Sequence, residues 1–426
     1  MTAELGGASA LGDRIVDLFP PDWSRSPFWS VYRRVKRVSS GNEVLLSVYR
    51  DHGVVRKSDR DDNFNKASDD LSLYQRVSKN DLVINKMKAW QGSVAISTLD
   101  GIVSPAYFVF EETSVTDPTF MHYLLRSDPY VAAYRAASKG IRPNQWDLDP
   151  DVLRVLPLCL PSVDKQSEIA RFLDCETAEI DAFIREQEEL IALLRERRAA
   201  SISHAVTKGL DPKAFMKDSG VAWIGEVPVK WDCIPLKWIA RLKTGGTPKT
   251  PEGFSGEPGF PWIRPEDLDT SGAESIASRW ISAVGAAELR QANAGATLLC
   301  AIGASLGKAG YSKQPVYTNQ QITAVEARGN PRYVYYMLVA ARESIVSLSV
   351  GNTMPIINND RLGSLVVPVP PLQEQDEIAR ELDFGMDEIN RAIVDAEKAV
   401  ALSRERRSAL ISAAVTGKIR ARNKGE

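Results

Sequence analysis

Two long segments of the chain place apolar residues at the spacing of a coiled coil. In the first segment the apolar positions occur at steps of seven, four, seven and three, at Leu173, Ile180, Ile184, Ile191 and Leu194. Such a stripe between charged neighbours predicts a helix that packs against a second helix. About 40 residues at ~1.5 Å per residue predict a rod roughly 60 Å long. The alternative is the core stripe of an ordinary helical domain.

The first segment recurs later in the chain. Residues 166–207 align with residues 375–416 without a gap, at a constant offset of 209. The second copy keeps four members of the stripe, Leu382, Ile389, Ile393 and Val400. Two similar helices in one chain can bury their apolar seams against each other. We therefore predict that they pair as an antiparallel coiled coil with pseudo-two-fold symmetry.

Between these helices the pattern changes to short β-branched runs and shorter helical stretches. The runs cover residues 102–110 and 316–325, and the helix candidates cover residues 120–138 and 332–349. This mixture predicts an α+β (mixed α/β) fold in two globular heads of ordinary domain size. We expect a first head over residues 1–160, a first helix over 161–210, a second head over 211–369 and a second helix over 370–426.

Composition narrows the class of protein. The chain has 426 residues, of which 44% are hydrophobic and 25% charged, and it contains four scattered cysteines and three histidines. These counts argue against a disulfide scaffold and a histidine-rich metal site. We see neither a membrane-spanning run nor a signal peptide, so we expect a cytoplasmic protein.

Charge is distributed unevenly along the chain. The net charge is −2 overall, but residues 22–155 carry +2 and residues 213–366 carry +3, whereas the helical segments 164–211 and 373–426 carry −4 and −1. A polyanion is therefore expected to bind the heads rather than the helices.

Several runs carry a family resemblance. Residues 367–379 read Val-Pro-Val-Pro-Pro-Leu-Gln-Glu-Gln-Asp-Glu-Ile-Ala, and residues 158–170 are a looser copy that departs at 162–165. Residues 218–228 read Asp-Ser-Gly-Val-Ala-Trp-Ile-Gly-Glu-Val-Pro, and shorter runs follow the same pattern at 104–107 and 243–248. In combination, over essentially the whole chain, these runs resemble the specificity (S) subunit of type I restriction-modification systems.

The resemblance implies a DNA-binding subunit without catalysis of its own. Each head would be a target recognition domain for one half of a split DNA sequence, and the helices would set the spacer. The helices would also dock two methyltransferase subunits, with residues 166–173 and 375–382 as candidate surfaces unless these only pack against each other. Restriction (translocase) subunits would complete the complex for DNA methylation and defence against foreign DNA. S-adenosylmethionine, ATP and Mg²⁺ are expected on those partners, and no cofactor on this chain.

Basic and amide side chains in the first head are candidate DNA contacts, because cations bind phosphates and amides or guanidinium groups read base edges. Three clusters stand out, a basic run, a loop at residues 86–92 and a polar loop at 138–145. Each is also compatible with an ordinary solvated surface. The candidates are Arg33, Arg34, Lys36, Arg37, Lys57, Lys86, Lys88, Gln91, Lys139, Arg142 and Asn144.

The second head offers a different set. Residues 243–249 resemble a phosphate-cradling loop whose glycines would expose backbone N–H groups, although an ordinary turn fits equally. Residues 319–321 are three consecutive amides suited to adenine, of which at most two can face one side if they lie in a strand. The candidates are Lys243, Thr247, Lys249, Lys308, Asn319, Gln320, Gln321, Asn352 and Thr353.

Catalytic motifs are not recognisable in the sequence. Residues 303–309 imitate a Walker A loop, but the glycines are one residue too close and Ala309 replaces the Mg²⁺-binding Ser or Thr. We find no Asn/Asp-Pro-Pro-Phe/Tyr motif of amino-methyltransferases and no nuclease cluster. A protein-interaction scaffold with a coiled-coil rod and no DNA specificity is the main alternative, and a self-sufficient modification enzyme is a weaker one.

Overall fold

The computed structural model describes residues 11–39, 43–50, 52–59, 71–142, 145–256, 259–351 and 354–419. The chain divides into two compact units, residues 1–186 with 399–426 and residues 187–398. Each unit holds one head and one segment of each long helix. We call them the first and the second unit.

The first head is built on a four-stranded antiparallel sheet in the order β2-β9-β6-β7, with the two-stranded pairs β1-β12, β3-β4, β5-β8 and β10-β11 around it. Its strands are β1 Ser24–Pro27, β2 Tyr32–Val35, β3 Leu46–Tyr49, β4 Gly53–Arg56, β5 Gln75–Val77, β6 Leu82–Asn85, β7 Val94–Ile96, β8 Gly101–Val103, β9 Tyr107–Glu112, β10 Ser138–Arg142, β11 Gln145–Leu148 and β12 Pro157–Leu160. Its helices are α1 Phe28–Val31, α2 Pro118–Arg126, α3 Asp128–Ala136 and α4 Pro150–Val155, and the long helix α5 Val163–Lys208 follows.

The second head repeats this sheet as β16-β23-β20-β21 and adds a second four-stranded sheet, β17-β19-β18-β22, with the pairs β13-β14 and β15-β24. Its strands are β13 Met216–Asp218, β14 Glu226–Pro228, β15 Asp232–Pro235, β16 Ala240–Thr244, β17 Phe254–Ser255, β18 Phe260–Ile263, β19 Arg279–Ile281, β20 Thr297–Cys300, β21 Ala309–Tyr311, β22 Tyr317–Thr318, β23 Ile322–Ala327 and β24 Val366–Val369. Its helices are α6 Leu236–Ile239, α7 Ala283–Glu288, α8 Pro331–Ala340, α9 Arg342–Ser347 and α10 Asn359–Ser364, before the long helix α11 Leu372–Val415.

The shared sheet is buried on both faces in the first head. Successive residues of a strand point to opposite sides. Val83 and Val109 pack with Leu46 in one apolar cluster, whereas Ile84 and Phe108 belong to another. The helices of the head cover the second face, which is why its strands read as nearly continuous apolar runs.

The long helices form where the heptad stripe predicted them. They contain 46 and 44 residues, and Gly385 is the only glycine in them, with no proline in either. Most of the stripe is buried, including Leu173, Ile184, Leu382 and Ile393. The coiled-coil interpretation of the stripe is confirmed.

The two helices run antiparallel. In the second unit Arg195 donates to Glu397 at 2.7 Å and Arg198 donates to Asn390 at 2.9 Å, so position along α11 falls as position along α5 rises. In the first unit Arg407 donates to Asp181 at 2.8 Å. Asp181 and Asn390 are equivalent at the offset of 209, as are Arg198 and Arg407. The same contact is thus present once in each unit, at equivalent positions of the repeat.

One glutamine joins head to helix in each unit. Gln166 donates to Pro161 O at 2.9 Å and accepts from the Asp117 N–H at 2.9 Å. Its equivalent, Gln375, donates to Pro370 O at 2.9 Å and accepts from the Asn330 N–H at 3.0 Å. Both glutamines are buried, so part of each face, at 166–173 and at 375–382, holds a head to its helix, whereas Arg171 and Arg380 on the same faces are exposed. Docking of a partner there stays a prediction.

The shorter helices differ from their sequence predictions. Residues 120–138 form two helices that meet at Ser127, because Pro129 stands at the start of the second. Residues 332–349 likewise divide at Ala341. Within the described ranges, no helix combines the length and the apolar character that a membrane crossing requires.

Candidate nucleic-acid interface

Two arginines of the basic run at residues 33–37 of the first head are held in ion pairs. Arg33 donates to Glu111 at 2.8 Å and Arg37 donates to the same carboxylate at 2.7 Å, while Arg37 also pairs with Asp81. The hydrogen bond from Arg33, followed by that from Arg37, lowers the pKa of Glu111 below its ordinary value. These two guanidinium groups are therefore partly neutralised by the head itself.

Arg34 lies differently, above an aromatic ring. Its Cζ is 4.3 Å from the centroid of Phe108, and Lys86 Nζ is 5.3 Å from the same centroid. Arg34 is exposed and Lys86 is half-buried, and the neighbouring Lys36 is exposed. A cation over a ring face is attracted by the ring's quadrupole. The structure thus brings together two candidates that are distant in sequence.

The turn at residues 86–92 packs against the β10-β11 hairpin. The rings of Trp90 and Trp146 lie 5.0 Å apart, and the Leu148 N–H donates to Lys86 O at 3.0 Å. Lys88 and Gln91 are exposed on this turn. Trp146 was not a candidate, although an aromatic residue next to a basic hairpin is the signal that would have pointed to it.

The remaining candidates of the first head are scattered. Lys139, on β10, forms an ion pair with Asp149 at 3.4 Å. Lys57 is half-buried and begins a 3-10 turn after β4. Arg142 ends β10, but its side chain lies outside the described residues, as does Asn144.

The glycine loop of the second head is not a phosphate cradle. The Gly245 N–H donates to Ile322 O at 3.0 Å and the Gly246 N–H donates to Thr318 O at 2.8 Å. A Cβ at Gly245 would lie 2.2 Å from the Thr318 hydroxyl, so only glycine allows this close approach. Because both N–H groups are used internally, the cradle interpretation of this loop is wrong.

The side chains of that loop have separate roles. Lys243 is half-buried and donates to Glu326 at 2.7 Å and to Gln291 O at 3.1 Å, which places it in the head's own structure. Thr247 donates to Gln320. The Lys249 side chain is exposed.

The three amides form a turn between β22 and β23. Asn319 is buried, and its amide donates to Gln321 at 3.0 Å, while Gln320 is exposed. The amides do not lie in a strand, so strand alternation does not decide which of them face outward. A tight turn forms because the Asn319 side chain accepts from the Gln321 N–H at 3.1 Å.

The Walker-like run also forms a turn, between the antiparallel strands β20 and β21. A P-loop requires a strand, a loop and then a helix, so this turn has the wrong structure for one. Gly303 N–H donates to Pro355 O at 2.9 Å, and Lys308 is exposed. Asn352 and Thr353 lie outside the described residues.

Three polar side chains of the second head form a chain of hydrogen bonds that the sequence analysis did not predict. Asn359 donates to the Thr244 hydroxyl at 2.9 Å and accepts from the Thr323 hydroxyl at 3.2 Å. Asn359 is the first residue of α10 and directly follows Asn358, which caps the helix, so the sequence offers no signal for this second role. Among the described residues, no group of His, Cys, Asp and Glu is placed to hold a metal ion.

Comparison with known proteins gives a consistent result. A family described as the type I restriction modification DNA specificity domain matches residues 228–395. The type I restriction enzyme MjaIX specificity subunit of Methanocaldococcus jannaschii is 30% identical over 177 residues, which is 38% of this chain and 40% of that protein. The MjaVIII specificity subunit of the same organism is 22% identical over 376 residues, 83% of this chain and 84% of that protein.

The match to the MjaIX subunit spans less than two thirds of its length. In fold, the chain resembles one from a solved structure concerned with complex assembly and conformational transition of the type I R-M system, with a TM-score of 0.71, 16% identity and coverage of 94% of this chain and 99% of that one. Residues 228–395 thus match the type I restriction modification DNA specificity domain, and over most of its length the chain is similar to type I restriction enzyme specificity subunits.

Proposed function

We propose that this chain is the DNA-binding specificity subunit of a type I restriction-modification complex. Each head reads one half of a bipartite target in double-stranded DNA, and the helices set the spacer between the halves. The chain is not an enzyme and binds no cofactor. It acts in the cytoplasm with two methyltransferase subunits and the restriction subunits, which bind S-adenosylmethionine, ATP and Mg²⁺.

The observation that carries this proposal is a repeated framework with diverged surfaces. Both heads use the same sheet order and the same buried glutamine at the helix. Yet the turns differ, with the half-buried Trp90 and the exposed Lys88 in the first head and the exposed Gln320 and Lys308 in the second. Two frames with different side chains suit the reading of two different half-sites.

Several exposed residues are identical in the two long helices, which supports the docking of two copies of one partner. Leu193 is 63% exposed and its equivalent Leu402 is 67% exposed. The residues at i+3, i+4 and i+7 from each leucine lie on the same side of the helix, and they are exposed and identical in the two copies. They are Glu196, Arg197 and Ala200 in the first helix and Glu405, Arg406 and Ala409 in the second. Helix packing does not require identity at exposed positions. A repeated contact with identical partners accounts for it.

Adenine methylation tests the proposal directly. Cells carrying the cognate methyltransferase gene are sequenced by a method that detects methyladenine, with and without this chain. We expect a split motif that appears only with the chain. Replacing residues 22–155 by the corresponding head of another specificity subunit should change one half of that motif, because each head acts on its own half-site.

Three outcomes would contradict the proposal. Unchanged methylation by an expressed and folded chain favours the interaction-scaffold alternative. A head replacement that changes both half-sites overturns the division between the heads. Transfer of labelled methyl groups to DNA by the purified chain alone would show that it is an enzyme.

A further inference from the structure

Two cations of the first head converge on one aromatic ring from opposite sides of a strand. Phe108 lies on β9, which is hydrogen-bonded to β2 on one side and to β6 on the other. Arg34 comes from β2, and Lys86 directly follows β6. Their charged groups lie 4.3 and 5.3 Å from the ring centroid, which places them less than 10 Å apart.

The two cations lack the neutralising partners of their neighbours. Arg33 and Arg37 share Glu111, and Arg37 also contacts Asp81. Across the described part of the chain, neither Arg34 nor Lys86 forms an ion pair with a carboxylate. Like charges held close together repel. An anion that contacts both would remove that repulsion and add two charge-assisted hydrogen bonds.

The backbone holds both cations in place. Arg34 pairs with Phe110 in the sheet, and the Lys86 N–H donates to Ala106 O at 3.0 Å. Lys86 O accepts from the Leu148 N–H, which ties the pair to the β10-β11 hairpin. The cations therefore lie beside the turn and hairpin that carry the other exposed candidates. A pair fixed in this way loses little conformational freedom on binding.

We propose that Arg34 and Lys86 together bind one backbone phosphate of DNA, and that their shared contact with the Phe108 ring keeps the two cations near each other. The inference rests on the proposed function, because it takes DNA as the polyanion. A phosphate contact fixes the position of the head on the duplex and carries no base specificity itself. Arg34 and Lys86 are accordingly positioning residues for the first half-site, and the base contacts come from the neighbouring turn and hairpin.

The test is the salt dependence of DNA binding by the full chain. Affinity is measured by fluorescence anisotropy over a salt series, with one duplex that carries the methylation motif and one that lacks both half-sites. R34M and K86M remove the charges but keep an apolar side chain over Phe108. R154M is the matched control, because it removes the charge of an exposed arginine of the same head, on α4, that is not among the candidate DNA contacts.

Each of R34M and K86M should reduce the slope of log affinity against log salt by about 1, and weaken binding to both duplexes by the same factor. R154M should leave the slope unchanged. Thermal unfolding of each variant, with the midpoint retained, excludes loss of folding as the cause.

Other results would overturn the assignment. Unchanged slopes in R34M and K86M, with normal binding by the unmodified chain, would show that these cations do not contact phosphate. A loss confined to the motif duplex would assign them to base reading instead. A chain that binds neither duplex in a salt-dependent way would overturn the proposed function itself, which separates the two failures.

Discussion

The same three positions of the shared sheet have different chemistry in the two heads. In the first head they hold Arg34, Phe108 and Lys86. The register of both strand pairs makes Leu242 and Thr323 the equivalents of Arg34 and Phe108. A charged cluster in one head is thus replaced by apolar and hydroxyl side chains in the other.

The second head makes a neutral hydrogen-bond chain at this place. Thr323 donates to Asn359, which donates to Thr244. Neutral groups of this kind recognise hydrogen-bond partners but release no counterions, whereas cations that contact phosphate make binding depend on salt. The comparison teaches that packing fixes the strand framework, while the side chains at the end of the sheet are free to set what each head binds.

The attachment of each head to its helix shows a second difference. In the first unit Tyr123 donates to Asp174 at 2.8 Å. In the second unit Tyr336 donates to the equivalent Asp383 at 2.7 Å, but Arg332 also pairs with Asp383. The Arg332 guanidinium lies 4.6, 5.1 and 5.0 Å from three tyrosine rings, Tyr311, Tyr335 and Tyr336. More side-chain interactions therefore hold the second head to its helix than hold the first.

The largest expected effect comes from removing this arginine. R332M should lower the free energy of unfolding of the second unit by about 2–4 kcal/mol, because Asp383 loses its cation and three rings lose a stacked guanidinium. Y123F in the first unit removes one hydrogen bond and should cost about 1 kcal/mol. Hydrogen exchange of α8 and α2 under native conditions measures the two losses separately. Equal losses in the two units would contradict the stronger attachment of the second head.

The next largest expected effect is a pH dependence of the free energy of unfolding, and it is confined to the first unit. Burial, followed by the positive charges of Arg126 and Arg407, lowers the pKa of His122 from 6.5 to about 3. Between these values the unfolded chain binds one proton more than the folded chain, so the stability of the first unit falls as pH falls below 6.5. The loss should be about 1 kcal/mol per pH unit.

The second unit provides the control for this pH dependence. Tyr335 takes the place of His122 on α8, five residues after the helix-capping residue, and burial raises its pKa to about 12. It therefore does not titrate between pH 5 and 7.5. Exchange protection of α2, measured between these pH values, should fall with acid while that of α8 changes less. H122Q should flatten the profile of α2, and a profile unchanged by this substitution would exclude His122 as the titrating group.

Sequence reasoning was most successful where one local pattern decides the structure. The stripe through Leu173 and Ile184 predicted a long buried seam, and the repeat predicted its partner around Ile393. These positions depend on helical periodicity alone. The sheet composition of the heads and their duplication were likewise visible as short β-branched runs.

The site was harder to predict because it depends on residues far apart in the sequence. Arg33 and Arg34 are adjacent and chemically alike, yet Glu111, 78 residues from Arg33, neutralises one of them. Phe108 and Lys86 come to the other only through strand pairing. The glycine N–H groups of the loop at 243–249 are occupied by β22 and β23 for the same reason. Whether a cation or an N–H is available is thus a tertiary property.

The smallest expected effect concerns the contact that occurs once in each unit between the helices. Arg407 pairs with the carboxylate of Asp181, whereas Arg198 contacts the amide of Asn390, which also donates to Ser271 O at 2.8 Å. D181N should cost less than about 1 kcal/mol, and the loss should disappear at high salt, because partly exposed ion pairs are weak and screened.

The reverse substitution should not simply mirror this loss. N390D creates an ion pair with Arg198 but removes the amide donor to Ser271 and places a carboxylate oxygen against its carbonyl oxygen. We expect N390D to cost about 1 kcal/mol, and we expect this loss to persist at high salt, since salt does not screen the loss of a neutral, half-buried hydrogen bond. Chemical denaturation of both variants at low and high salt measures this. A stabilising N390D would mean that the Ser271 contact contributes nothing, and that the two inter-helix contacts are interchangeable.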